Sequence, residues 1–119
     1  MTAVPRKLLI VDDDVHIRRL IKLFLRGSEF EVAEAATGEE ALELAARDPF
    51  DVAIVDLILP YYGGLRLCQK LKASEPAPRV VIITGDEAPE TREAAREYRG
   101  DAFVLKPFTR EELLAAVTA

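Results

Sequence analysis

The chain has 119 residues, half of them hydrophobic, which predicts a single folded domain over residues 1–119 and excludes a disordered segment. Its net charge is −5, from 21 acidic and 16 basic residues, and this acidic balance disfavours direct binding to the phosphate backbone of a nucleic acid. The apolar runs are too short for a membrane span or a signal-peptide core, and one cysteine with one histidine excludes an internal disulfide and a Cys/His zinc cage, so we expect a cytoplasmic protein without a membrane partner.

The first part of the chain predicts a strand, a helix and a second strand. Residues 7–12 are mostly aliphatic and predict the first strand. The helix after it ends with the C-cap signal Gly27. Its apolar face is formed by Ile17, Leu20, Ile21, Phe24 and Leu25. Residues 30–34 have apolar side chains on one face only, which predicts an edge strand.

The middle of the chain predicts a second helix, a buried strand and a third helix. Thr37 followed by Glu40 is a capping-box signature and marks the start of the second helix. Residues 51–56 carry almost no polar residue before their last position, as expected for a parallel strand covered on both faces. The third helix is predicted to begin near Gly64.

The last part of the chain continues the same alternation. Residues 79–84 predict another buried strand, and the highly charged stretch 88–98 predicts the fourth helix. Residues 102–105 predict the fifth strand, and Thr109 with Glu112 repeats the capping box for the fifth helix. Five strand–helix repeats predict an α/β fold with a parallel sheet and helices on both faces.

The residues at the carboxyl ends of the predicted strands carry the reactive groups of the chain. In a parallel α/β sheet, the loops at these ends build the functional site. The side chains found there are Asp12, Asp13, Asp14, Asp56, Thr84 and Lys106. Because these strand ends meet at one edge of the sheet, we expect an acid cluster with a hydroxyl and an ammonium group beside it.

The chemistry of such a cluster points to a cation and to phosphoryl transfer. Two carboxylates about 4 Å apart repel each other by on the order of 4 kcal/mol at an effective dielectric near 20. Oxygen ligands without His or Cys favour Mg²⁺, and a further carboxylate could then act as a nucleophile that forms an aspartyl phosphate. Thr84 could donate a hydrogen bond to the phosphoryl group, and Lys106 could balance its charge.

Four sequence motifs resemble the receiver domain of bacterial response regulators, and the resemblance covers essentially the whole chain. Each motif is weak alone, but their order and intervals together are specific. They are LLIVDDD at 8–14, VDLILPYYGG at 55–64, VVIITG at 80–85 and FVLKPF at 103–108. The resemblance implies a flavodoxin-like five-stranded parallel sheet of strand order 2-1-3-4-5, the order that chemotaxis regulators of this family illustrate.

The resemblance also implies a role for each acidic residue of the cluster. Asp56 corresponds to the phosphoacceptor. Asp12 and Asp13 correspond to the acidic pair, with Asp13 and Asp56 as direct Mg²⁺ ligands and Asp12 acting mainly through water. The backbone carbonyl of Ile58 corresponds to the third protein ligand of the metal.

Further positions correspond to the groups that sense the phosphoryl group. Thr84 and Lys106 match the pair that contacts it, and the bond between Lys106 and Pro107 is expected to be cis. Phe103 matches the aromatic switch position. The surface expected to respond is that of the fourth helix, the fifth strand and the fifth helix.

The implied function is that of a phosphorylation-dependent signalling switch. It would accept a phosphoryl group from a sensor histidine kinase or a histidine phosphotransfer protein, and it would catalyse only its own phosphorylation and dephosphorylation. A downstream output domain or effector protein and a phosphorylation-dependent homodimer are the further expected partners. The fifth helical pattern reaches the last residues of the chain, which is compatible with an output domain after residue 119.

The sequence departs from the family pattern at three places. Phe103 stands where Tyr is common. Gly63 stands where Asp or Asn often precedes the glycine here numbered Gly64. Gly100 lies one residue nearer to Lys106 than is usual. The last two departures concern loop geometry and remove no catalytic group.

Other readings of the same residues remain open at the level of sequence. Asp14 is better explained as a helix N-cap than as a metal ligand, and His16 as a solvated side chain. An aspartate-based phosphatase is an alternative function for this site, although His16 stands where the Asp-x-Asp-x-Thr/Val pattern of such enzymes needs Thr or Val. A flavin carrier would need a phosphate-binding first loop, which three aspartates oppose. A degenerate receiver that serves only as a docking module is the third rival.

Overall fold

A computed structural model describes residues 6–118, and these form a five-stranded parallel sheet. The strand order is β2-β1-β3-β4-β5, which confirms the predicted 2-1-3-4-5 arrangement and the edge position of β2. The strands are β1 Arg6–Val11, β2 Phe30–Ala35, β3 Val52–Asp56, β4 Arg79–Thr84 and β5 Ala102–Leu105. Each differs from its predicted bounds by one residue at most at either end.

Within the described residues, five helices connect and follow the strands, as the periodicity predicts. They are α1 Val15–Phe24, α2 Gly38–Arg47, α3 Gly64–Lys72, α4 Pro89–Glu97 and α5 Arg110–Thr118. The Asp14 side chain accepts a hydrogen bond from the backbone N–H of His16, so Asp14 is the N-cap of α1. The C-cap of α1 is Leu25, and Gly27 lies beyond it with a positive φ of 85°. No helix within residues 6–118 is long and apolar enough to cross a membrane.

The two predicted capping boxes form, with one difference between them. At α5, Thr109 and Glu112 each accept a hydrogen bond from the backbone N–H of the other. At α2, the Thr37 hydroxyl accepts from the backbone N–H of Glu40, but the Glu40 carboxylate accepts from Ala36, one residue before the cap. Both helix starts are therefore satisfied by side chains that are close in sequence.

Successive side chains of the central strands are buried on opposite faces of the sheet. One face packs against α2 and α3 with the small residue Ala95 of α4, and it includes Leu9, Val55 and Ile82. The other face packs against α1 and α5 and includes Ile10 and Ile54. Because both faces are covered, polar side chains at the carboxyl edge can reach solvent only through the loops there.

Candidate functional site

The register of the sheet brings the predicted site residues to one edge. Asp56 ends β3 opposite Ile83, and Thr84 ends β4 opposite Leu105 of β5. Asp12 and Asp13 directly follow β1, and Lys106 directly follows β5. Parallel strands in this register place all of these residues around the carboxyl edge of the three central strands and β5.

Three carboxylates of this edge lie close enough together to share a cation. One oxygen from each of Asp12, Asp13 and Asp56 lies within 4.8 Å of the others. Asp12 and Asp56 are buried, whereas Asp13 is exposed. A donor set of carboxylate oxygens, open to solvent on one side, fits Mg²⁺, which keeps several water ligands in protein sites. The residues therefore fit the metal that the resemblance implies.

Lys106 connects two of these carboxylates. Its Nζ lies 3.2 Å from Oδ2 of Asp56 and 3.4 Å from Oδ2 of Asp12. Its backbone N–H donates to the carbonyl of Thr84 at 2.8 Å, and the bond from Lys106 to Pro107 is cis, as expected. Burial lowers the pKa of Lys106, but the carboxylates of Asp56 and Asp12 raise it by more, so the ammonium form is favoured.

Asp12 is the most strongly perturbed acid of the site. Burial raises the pKa of its carboxyl to about 6, and the nearby Asp56 carboxylate acts in the same direction. A hydrogen bond from the Asp14 backbone N–H and the charge of Lys106 act against this rise. In the metal-free protein, Asp12 thus takes up a proton at a higher pH than an ordinary aspartate does.

Replacing Asp12 by asparagine should stabilise the metal-free protein at pH 7.5. The folded-state pKa of Asp12, about 6, lies above the ordinary value of 3.8. Stability is therefore lost as the pH rises from 3.8 to about 6, and the full destabilisation is present at pH 7.5. Removing the ionisable group should raise the free energy of unfolding by on the order of 2 kcal/mol at pH 7.5 and change it little near pH 3.5.

Urea denaturation in EDTA at both pH values measures this effect. Asp13→Asn, at the exposed neighbouring acid, removes the same formal charge without relieving a buried carboxylate and serves as the matched control. A gain for Asp12→Asn that is equal at both pH values, or absent at pH 7.5, would contradict burial as the cause of the raised pKa.

The loop after β3 is held close to the start of α3. The backbone N–H of Ile58 donates to Oδ1 of Asp56 at 3.1 Å, and the N–H of Gly64 donates to the carbonyl of Leu57 at 2.8 Å. A Cβ at position 64 would lie 2.6 Å from Cα of Leu57 and would also overlap the carbonyl oxygen of Asp56. Only glycine allows this approach, which holds the backbone that carries Asp56.

Gly63 takes a conformation that suits its unusual presence in the motif. Its φ is 88°, in the left-handed region, and it occupies the N-cap position of α3 without a side-chain cap. Aspartate or asparagine here could have supplied a capping oxygen, whereas glycine supplies only the backbone geometry. Gly100, the other departure, donates its backbone N–H to the carbonyl of Ala95 and ends the turn after α4.

Thr84 is linked to the start of α4 through Asp86. The buried Thr84 hydroxyl accepts a hydrogen bond from the backbone N–H of Asp86 at 3.2 Å. The Asp86 carboxylate accepts from the N–H of Ala88 at 2.9 Å and from the Thr91 hydroxyl at 2.6 Å. The Asp86 carboxylate therefore accepts hydrogen bonds from Ala88, the N-cap residue of α4, and from Thr91 in the first turn of that helix.

Phe103 is half-buried in β5, at the surface expected to respond. Its ring packs on the face of the sheet that α2 and α3 cover, in the cluster that includes Ala95 of α4. The Arg92 guanidinium lies 4.9 Å from the ring centroid. This cation–π contact joins β5 to α4. The sequence indicates neither the partner of Phe103 nor its orientation.

Arg18 is a site residue that sequence reasoning missed. Its Nη1 donates to the backbone carbonyl of Asp12 at 2.7 Å, and its Nε donates to the Glu34 carboxylate at 3.1 Å. The signal in the sequence is weak, because an arginine one turn inside a helix is usually a solvated side chain. Asp14, as expected, lies outside the carboxylate cluster.

The fold and the site together define a flavodoxin-like α/β domain with an acidic pocket at the carboxyl edge of its sheet. The family model of the response regulator receiver domain matches residues 8–118, so the chain belongs to that family. It is a regulatory domain of two-component signalling, a switch that depends on phosphorylation. Family membership decides against the phosphatase and the flavin carrier as readings of the site.

Individual relatives agree with this assignment. The transcriptional regulatory protein SrrA of Staphylococcus aureus is 34% identical over 116 residues, which cover 98% of this chain and 48% of SrrA. The chain thus spans about half the length of the curated relatives it matches. A putative response regulator from Chloroflexus aurantiacus is 33% identical with a TM-score of 0.89, covering 95% of this chain and 94% of that one. The BeF3-activated receiver domain of DrrB, a Thermotoga maritima protein, is 32% identical with a TM-score of 0.87 and the same coverage.

Proposed function

We propose that Asp56 accepts a phosphoryl group in a Mg²⁺-dependent reaction, and that residues 1–119 form one receiver domain that this reaction switches. The observation that carries the proposal is the convergence of the Asp12, Asp13 and Asp56 oxygens within 4.8 Å, with the Lys106 ammonium 3.2 Å from Asp56. One buried carboxylate beside a cation site and a lysine is the arrangement that an aspartyl phosphate requires.

Each group of the site has a distinct task in this proposal. Asp13 and Asp56 would bind the metal directly together with the Ile58 carbonyl, and Asp12 would act mainly through a water ligand. Receiver domains generally bind Mg²⁺ in such a pocket, where the ion neutralises the carboxylates and the phosphoryl oxygens. Lys106 would exchange part of its contact with Asp56 for a phosphoryl oxygen.

The phosphoryl transfer itself needs no group beyond those of the site and the donor. An Asp56 carboxylate oxygen forms a bond to phosphorus while the bond from phosphorus to the imidazole nitrogen of a phosphohistidine breaks. The imidazole keeps that electron pair and takes up a proton from solvent. The protein contributes positioning and charge stabilisation rather than a further covalent step.

Signal output would begin at Thr84. The Thr84 hydroxyl now accepts a hydrogen bond from the Asp86 backbone N–H, and a phosphoryl group on Asp56 would attract the same hydroxyl as a donor. If Thr84 turns to donate to the phosphoryl group, the approach to α4 loses this contact and Phe103 can turn inward. The expected result is a shift between two pre-existing states at the surface of α4, β5 and α5.

The proposed chemistry is tested by mass spectrometry after incubation with acetyl phosphate and Mg²⁺. The parent protein should gain one phosphoryl group, and Asp56→Asn should gain none. Asp48→Asn, an exposed acid after α2, is the matched control and should be phosphorylated like the parent. A parent protein that stays unmodified while it still binds Mg²⁺ would instead support the docking module.

Beryllofluoride, a phosphoryl mimic, should change the amide chemical shifts of α4 and β5 as well as those of the metal site. We expect the largest distant changes at Ala88, Arg92, Arg96 and Phe103, because Asp86 connects the Thr84 hydroxyl to the start of α4. NMR spectra with and without the mimic measure the effect, and Asp56→Asn provides the background. Changes confined to the metal site would contradict the proposed switch.

Ile58 should lengthen the life of the phosphoryl group. Its side chain is 72% exposed two residues after Asp56, where it offers bulk but no hydrogen bond to an attacking water. Asp86, two residues after Thr84, is the other side chain expected beside the path of the attacking water. Its carboxylate already accepts hydrogen bonds from Ala88 and Thr91. We expect Ile58→Asn to speed dephosphorylation several-fold, within the roughly 1 kcal/mol of one positioning hydrogen bond.

The decay of labelled phosphoprotein after removal of the donor measures this rate. Ile58→Leu keeps the apolar bulk and should decay at nearly the parent rate. If Ile58→Asn decays no faster than the parent, water access does not depend on this side chain.

The phosphodonor in the cell would be a sensor histidine kinase or a histidine phosphotransfer protein, in the cytoplasm. SrrA is a transcriptional regulatory protein about twice as long as the matched region, which supports an output domain or effector protein as the downstream partner. A phosphorylation-dependent homodimer through the α4, β5 and α5 surface is a further proposal for the same switch.

A further inference from the structure

We propose that Arg18 is a positioning residue for the acidic pair, because it holds the Asp12–Asp13 peptide in the orientation that the metal site needs. This inference rests on the proposed function, in which Asp13 binds Mg²⁺. It assigns a role in that site to a residue of α1 that carries no ligand atom.

The contacts of Arg18 tie three elements together. Nη1 donates to the backbone carbonyl of Asp12 at 2.7 Å, directly after β1. Nε donates to Oε1 of Glu34 at 3.1 Å, on β2, and only 16% of the Arg18 side chain is exposed. Since the guanidinium is planar and presents its N–H groups in a rigid fork, two bonds from the same fork fix its orientation.

Fixing the backbone carbonyl of Asp12 also fixes the backbone position of the next residue, Asp13. The peptide unit is planar, so its carbonyl oxygen fixes the plane that contains Cα of Asp13. The N–H of Asp12 is bonded to the carbonyl of Ala35 at 3.2 Å, and Oδ1 of Asp12 accepts from the N–H of Asp14 at 2.9 Å. The Asp13 side chain is exposed and is not held by packing, so its direction depends on this backbone.

The Glu34 carboxylate balances the positive charge that Arg18 brings close to the cation site. A free guanidinium near the cluster would oppose Mg²⁺ binding, but the Glu34 carboxylate pairs with it and also accepts from Nζ of Lys22 at 2.8 Å. Glu34 lies opposite Ile10 in the register of β1 and β2, so it is anchored to the sheet that carries the site. The edge strand therefore supports the acidic pair through Arg18.

Lys22 provides a control that separates positioning from charge. Lys22 and Arg18 share the partner Glu34, but only Arg18 also bonds to Asp12. Removing a positive charge near a cation site should by itself leave Mg²⁺ binding unchanged or slightly tighter. Loss of a positioning residue should weaken binding, so the two effects have opposite signs.

The experiment measures the Mg²⁺ dissociation constant by calorimetry for the parent, Arg18→Ala, Arg18→Lys and Lys22→Ala. We expect a rise of roughly 10-fold for Arg18→Ala, as is typical when a group that orients a ligand is lost. The dissociation constant of Arg18→Lys should lie between those of the parent and Arg18→Ala, because an ammonium cannot reproduce the two hydrogen bonds of the guanidinium. Lys22→Ala should stay within about 2-fold of the parent or bind slightly more tightly.

A second measurement needs no metal. In EDTA, hydrogen exchange of the Asp14 amide should be on the order of 10-fold faster in Arg18→Ala than in the parent, and unchanged in Lys22→Ala, because the Asp12 backbone loses its bond. A parent protein that binds no Mg²⁺ would overturn the proposed function and this inference with it. A parent that binds Mg²⁺, with Arg18→Ala and Lys22→Ala alike in affinity and exchange, would overturn the inference alone.

Discussion

Replacing Asp13 by alanine should slow phosphorylation by acetyl phosphate at least 100-fold while the fold stays intact. Asp13 supplies one of the three oxygens that meet within 4.8 Å, and its side chain is exposed, so its truncation opens no cavity. Without this ligand, the charges of Asp56 and the incoming phosphoryl group are less well neutralised. A 100-fold loss corresponds to about 2.7 kcal/mol, within the range of metal-ion charge stabilisation.

The measurement is the initial rate of phosphoryl incorporation at saturating and at low Mg²⁺, with thermal unfolding as a check of the fold. Asp14→Ala is a demanding control, because it removes the α1 cap at a cost of about 1 kcal/mol in stability yet leaves the carboxylate cluster complete. It should retain most of the parent rate. Incorporation that needs no Mg²⁺ in the parent would contradict the proposed role of Asp13.

Replacing Gly64 by alanine should destabilise the protein by about 2–3 kcal/mol, the usual cost of forcing extra atoms into a closed space. The added Cβ would lie 2.6 Å from Cα of Leu57 and would overlap the carbonyl oxygen of Asp56, and both are backbone atoms that cannot rotate away. Either α3 or the loop after β3 must move. Since that loop carries Ile58 and adjoins Asp56, Mg²⁺ binding should weaken as well.

Urea denaturation and Mg²⁺ titration of the same variant measure the two effects. Gly85→Ala is the matched control, because a Cβ there meets no atom within 4 Å and its φ lies outside the left-handed region. It should change the free energy of unfolding by less than about 0.5 kcal/mol. If the two variants are equally stable, the close approach of α3 to Leu57 does not constrain the loop.

The sequence by itself determined the elements and the chemistry of the strand ends. Runs such as residues 79–84 predict buried parallel strands, and parallel pairing then places Asp56, Thr84 and Lys106 at one edge. The Thr109–Glu112 capping box and the Asp14 cap were also predictable. Each depends on residues two or three apart, whose geometry the local backbone defines.

Only the tertiary structure decided which groups control that site. The pairing of Arg18 with Glu34 joins residues 16 apart, and the contact of Lys106 with Asp12 joins residues 94 apart. The raised pKa of Asp12 depends on burial by neighbouring elements, and the need for glycine at position 64 depends on how closely α3 approaches Leu57. Hydrophobic periodicity specifies which face of a helix is buried. The rotation and approach of packed elements follow from side-chain packing across the whole domain, so these contacts are not encoded in any local pattern.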